Sequence, residues 1–115
     1  MKQSHSFLKN SHSLKKSLHL ILSLFFLIVL NSKATNKYWV GGNGNWNSST
    51  HWSLTSGGKG GAPIPVADDN VFIDNHSFSA PAQKITILGT ATCANFNWKA
   101  SNAILEGTAE SSLSV

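Results

Sequence analysis

Three of the four Trp residues of this chain fall between positions 39 and 52. They lie in the run Tyr38-Trp39-Val40-Gly41-Gly42-Asn43-Gly44-Asn45-Trp46 and in the nearby His51-Trp52-Ser53. Gly and Asn separate the rings. Such a segment disfavours a helix, because Gly loses too much backbone freedom there and Asn prefers caps and turns. It favours short extended pieces joined by tight turns, since Gly and Asn accept the positive φ that those turns need. Three large aromatics so close together must then be hidden in a core or displayed as a surface.

What precedes this run fixes where the folded part begins. Residues 1–17 carry Lys2, Lys9, Lys15 and Lys16 and no acid. Leu18 to Leu30 reads LHLILSLFFLIVL, and Ser32-Lys33-Ala34 follows. A basic start, a short apolar stretch and a small-x-small site are the parts of a secretory signal peptide, here predicted as a helix over 1–34 with the cut after Ala34. The rival reading is an uncleaved anchor. Thirteen apolar-region residues, 18 to 30, rise only about 20 Å as a helix, against a bilayer core of about 30 Å. That mismatch favours cleavage, so the membrane is met only during export. The expected location is secreted or on a bacterial outer cell surface.

Cleavage also changes the charge. The whole chain has nine Lys, no Arg and a formal charge of +4. The part after Ala34 keeps Lys37, Lys59, Lys84 and Lys99 against Asp68, Asp69, Asp74, Glu106 and Glu110, four cations against five anions. A basic face for nucleic acid is missing, and so is Arg, the usual reader of phosphates and bases. Nucleic acid is therefore not an expected partner. Removing 34 of 115 residues leaves 81, one small domain at most. Its single cysteine, Cys93, cannot form an internal disulfide and reads as a small buried apolar residue.

From Asn70 onward the pattern turns regular. Val71-Phe72-Ile73 is a short apolar run. Lys84 to Leu88 alternates and ends at Gly89. Ala94, Phe96, Trp98 and Ala100 alternate with Asn95, Asn97 and Lys99, a period of two. Ala103-Ile104-Leu105 and the pair Leu113, Val115 continue the series. No helical period of useful length is present. Strands at this spacing suit a solenoid or a small β-sandwich. The turns after Asn70 lack the Asn-Gly or Asp-Gly pairs of tight hairpins, and the chain stops on an alternating apolar pattern. Both points favour a solenoid continued by a longer protein. The expected organisation is a signal peptide over 1–34, a Trp/Gly-rich cap and loop over 35–69, and the first solenoid strands over 70–115.

The ordered set Tyr38-Trp39-Val40-Gly41-Gly42, Gly44-Asn45-Trp46, His51-Trp52-Ser53, Ser56-Gly57-Gly58, Pro65, Asp69-Asn70-Val71-Phe72-Ile73 and Ser77-Phe78-Ser79 resembles the opening module of large secreted, adhesin-like bacterial surface proteins. The resemblance implies an all-β fold that starts a right-handed parallel β-helix. It implies that Tyr38, Trp39, Trp46 and Trp52 form its N-terminal cap. It implies a structural or interaction role with no catalysis in this segment, extracellular glycans or proteins as partners, and no cofactor. Other readings stay open at this point. Trp39, Trp46 and Trp52 are candidates for stacking on carbohydrate, which would make the chain a carbohydrate-binding module. A front end of a polysaccharide-active β-helix enzyme is a third. Asp68, Asp69, Asn70 and Asp74 offer hard oxygen ligands for Ca²⁺, although not in an EF-hand spacing. His51 and His76 lack the spacing of a zinc site.

Overall fold

The computed structural model describes residues 33–115. The predicted signal segment lies outside the described residues, except for Lys33 and Ala34. The described part is all-β apart from a single 3-10 turn at Ser49–His51. Its strands are β1 (Asn36–Trp39), β2 (Gly44–Asn45), β3 (Trp52–Ser53), β4 (Asn70–Ile73), β5 (Lys84–Ile87), β6 (Thr90–Thr92), β7 (Asn95–Trp98), β8 (Ile104–Gly107) and β9 (Ser112–Ser114).

The strands form three sheets, in the orders β3-β1-β4-β7, β2-β5-β8 and β6-β9. Parallel pairing dominates. β1 joins β4, β4 joins β7, β2 joins β5, β5 joins β8 and β6 joins β9, all parallel. Only β1 and β3 pair antiparallel. A parallel pair cannot be closed by a hairpin; the chain must cross over between its strands. After β4 each crossover contains one strand from each of the other two sheets, so the chain visits the three sheets in turn. The sandwich alternative expects neighbours in sequence to pair antiparallel, and no such pair occurs among the described residues after β3.

Register follows side-chain chemistry. Val71 sits beside Phe96 and Ile73 beside Trp98. Ile85 sits beside Leu105, and Ala91 beside Leu113. Each apolar column keeps to one face of its sheet, as the period of two requires, and Leu105 at the end of its column is 37% exposed. On the opposite face of the first sheet, Asn36, Asn70 and Asn95 share one register position. Asn70 Nδ2 donates to Asn36 Oδ1 at 3.0 Å, and Asn95 Nδ2 donates to Asn70 Oδ1 at 2.8 Å. Beside that ladder, Tyr38 stacks on Phe72 with ring centres 5.0 Å apart.

Burial is graded along the chain. Trp39, Trp52, Val71, Ile73 and Ile85 are wholly enclosed. Phe96, Trp98 and Leu113 are half-buried against that core, and every residue of β8 is exposed. The core therefore centres on the early strands and opens toward β7, β8 and β9.

Candidate functional site

The Trp-rich run folds under itself at Gly41 and Gly42, whose φ angles of 85° and 73° lie where a side chain would be strained. That reversal brings three indoles from three segments together. Trp39 and Trp52 meet edge to face at 5.2 Å, and Trp46 and Trp52 at 4.9 Å. Trp39 Nε1–H donates to Gly42 O at 2.8 Å, and Trp52 Nε1–H to Trp46 O at 2.7 Å. His51 lies flat on Trp39 at 4.7 Å and 7°. Its Nδ1–H donates to Val40 O at 2.7 Å, and its carbonyl accepts Val40 N–H at 2.8 Å.

This geometry corrects the carbohydrate-stacking candidates. Trp39, Trp46 and Trp52 are 0%, 1% and 0% exposed, so none has a ring face left for a sugar. Tyr38 does not join them. Alternation along β1 sends Trp39 and Lys37 inward and Tyr38 to the other face, against Phe72.

The acidic cluster is also dispersed. Asp69 is 5% exposed and already occupied. Its Oδ1 accepts Thr35 N–H at 3.2 Å and its Oδ2 accepts Val66 N–H at 3.0 Å. Lys37 Nζ stands 3.9 Å from Oδ2, also buried, and donates to Pro63 O at 2.8 Å. Together these bonds tie the irregular stretch 54–69 to β1. Asp68 is exposed. Asp74 belongs to a different corner, where Ser56 Oγ donates to Oδ2 at 2.6 Å and His76 N–H to Oδ1 at 2.9 Å. Among the described residues no group of three His, Cys, Asp or Glu converges as metal ligands would. His51 and His76 serve these separate contacts. Cys93 is a buried free thiol, and burial pushes its pKa up.

A feature that the sequence did not reveal is a cleft of ≈ 250 Å³ between two successive corners, the one joining β4 to β5 and the one joining β7 to β8. Asp74, Asn75, Ser101 and Asn102 supply its polar groups; Phe78, Pro81 and Ala100 supply its apolar wall. The corners are bound to each other by Ala82 N–H to Asn102 O at 2.7 Å and Ile104 N–H to Gln83 O at 3.0 Å. Ala82 (φ 62°) and Asn102 (φ 59°) are the two non-Gly residues in the left-handed region among those described. Backbone strain of this kind gathers where surrounding structure or function demands it.

No family model, curated protein or solved structure matches this chain.

Proposed function

We propose that this chain is an exported structural or interaction module whose described residues form the first rungs of a right-handed parallel β-helix. The observation that carries the reading is the matched register of parallel strands three places apart, β4 with β7, β5 with β8 and β6 with β9. Parallel crossovers are almost always right-handed. In this reading the Trp39–Trp46–Trp52 cluster closes the interior at the β1–β3 side. The opposite side, where Ile87, Leu105 and Leu113 line an open cleft of ≈ 210 Å³, accepts further parallel strands. An adhesin-like role at the cell surface agrees with the basic and apolar leader. The test is expression of the full chain in a bacterium with its own leader. A product outside the cytoplasm with Thr35 as its first residue supports the reading; a cytoplasmic product that keeps residues 1–34 overturns it.

Carbohydrate binding has one observation in its favour, and it is the corner cleft rather than the Trp run. Asn75, Ser101 and Asn102 make no side-chain hydrogen bonds among the described residues, and Phe78 offers an aromatic wall beside them. Asp74 is the charged residue lining the cleft, so its chemistry disfavours anions and offers a carboxylate acceptor to a hydroxylated ring. Its volume is below the roughly 300–1,000 Å³ of drug-sized sites, enough for a single sugar unit. Titration with galactose, mannose and N-acetylglucosamine, followed by amide shifts of Asn75 and Asn102, tests this. Saturable shifts that weaken in Asn102→Gly support it, and none with any of the three sugars sinks it.

A further inference from the structure

The buried carboxylate of Asp69 accepts a hydrogen bond from the backbone nitrogen of Thr35, the residue that follows the predicted cut. Before cleavage that nitrogen is an amide, a neutral donor. After a cut between Ala34 and Thr35 it becomes an α-ammonium, with a full positive charge and three donors. Hydrolysis consumes one water; the carboxylate leaves with Ala34 and the amine stays on Thr35.

We propose that Asp69 is a built-in binding site for the new α-ammonium of Thr35, so that removal of the leader locks the start of β1 onto the fold. The inference rests on the export reading above and adds a consequence to it. Several observations support it. Ala34 is exposed while Thr35 is half-buried, so the scissile bond stands at the rim with its new amine directed inward. Asp69 Oδ1 has no charged partner at bonding distance, because Lys37 Nζ lies 3.9 Å from the other oxygen and spends a proton on Pro63 O. Thr35 is held in place from its other side, where its carbonyl accepts Asn70 N–H at 2.9 Å. The amine therefore needs no rearrangement to reach the carboxylate. A charge-assisted bond is shorter and roughly twice as strong as a neutral one, and burial shields it from salt.

The groups facing the amine are Asp69 from the loop end and Lys37 from β1. Lys37 opposes the new charge, and Asp69 Oδ1, 3.2 Å from the nitrogen, attracts it. The α-amine of an unpaired terminus titrates near 7.7–8.0. Pairing with Asp69 raises that value in the folded state. Its contribution to stability is therefore complete below about pH 7.7 and is lost as pH rises through the raised folded value.

The experiment uses the exported product. N-terminal sequencing first identifies its first residue. The α-amine is then selectively acetylated near neutral pH, where Lys side chains stay protonated, and thermal melts are compared. The latch predicts that acetylation lowers Tm by about 4–8 °C at neutral pH. It also predicts that the difference shrinks as pH rises past the amine's titration. Asp69→Asn should abolish the difference; should that variant not fold, the pH dependence of the acetylation effect decides alone. A product that begins at Thr35 but melts identically with and without acetylation overturns the latch and leaves the export reading standing. A product that begins at any other residue overturns the latch together with the cut after Ala34.

Discussion

Trp52 donates its indole N–H to the carbonyl of Trp46 at 2.7 Å, while the indole N–H of Trp46 has no partner among the described residues. Two rings in edge-to-face contact, 4.9 Å apart, are thus unequal in polar terms. A satisfied buried donor contributes a modest net amount, whereas an unsatisfied one carries its full desolvation cost of about 1–3 kcal/mol. Trp46→Phe removes that cost along with some packing; Trp52→Phe removes packing and strands the Trp46 carbonyl. Chemical denaturation should show Trp52→Phe as the more destabilising of the two by about 1–2 kcal/mol. Trp52→Ala should cost about 3–5 kcal/mol. Equal losses for the two Phe variants would show that the hydrogen bond contributes nothing.

Asn70 is the middle member of the Asn ladder, accepting from Asn95 and donating to Asn36. Asn70→Ala breaks both bonds on an exposed face, where each is worth about 0.5–1.5 kcal/mol. A loss of about 1–2 kcal/mol is expected in denaturant melts, against about half that for Asn36→Ala, which breaks one bond. The ranking matters more than the size, since a propensity effect alone would not distinguish the two positions.

Ala82 holds a left-handed backbone, φ 62°, that costs an L-residue roughly 1–2 kcal/mol. Glycine adopts it freely but loses more freedom on folding. Ala82→Gly should stabilise the chain by about 0.5–1 kcal/mol, an unusual direction for a substitution to glycine. A fall in Tm would mean that the Ala82 methyl is doing packing that outweighs its strain.

Cys93 is 4% exposed and its thiol is pushed up in pKa by burial. Folded protein at neutral pH should react slowly with a thiol reagent, and denatured protein at once. The folded state holds this proton more tightly than the unfolded one, so the preference stabilises the fold below the ordinary thiol value of 9.0 and fades as pH climbs through the raised folded value. A labelling rate as fast as that of free cysteine would place Cys93 at the surface.

The strands that carry an alternating pattern were legible in the sequence. Phe96 and Trp98 do point into the core from β7, as their spacing with Asn95 and Asn97 requires. What stayed hidden depends on partners far away in the chain. Gly44 and Asn45 read as turn residues, yet they form β2 because they lie beside Ile85 and Thr86 of β5. Trp52 and Ser53 become a strand only against β1. The Trp run was ambiguous for a chemical reason: a core and a sugar platform use the same rings, and spacing does not say which side is covered. Asp69 was legible as a hard oxygen donor, but its role as acceptor for Thr35, 34 positions earlier, exists only in the fold. The corner cleft joins residues 74–81 to 100–102 and has no local signature at all.

The Asn ladder has a direction. Every bond in it runs from the later strand to the earlier one, so among the described residues Asn36 Nδ2 at its first member and Asn95 Oδ1 at its last have no partner. The row therefore has two unlike ends. A parallel neighbour at the β7 edge with Asn at this register position would lengthen the column by one more carboxamide bond.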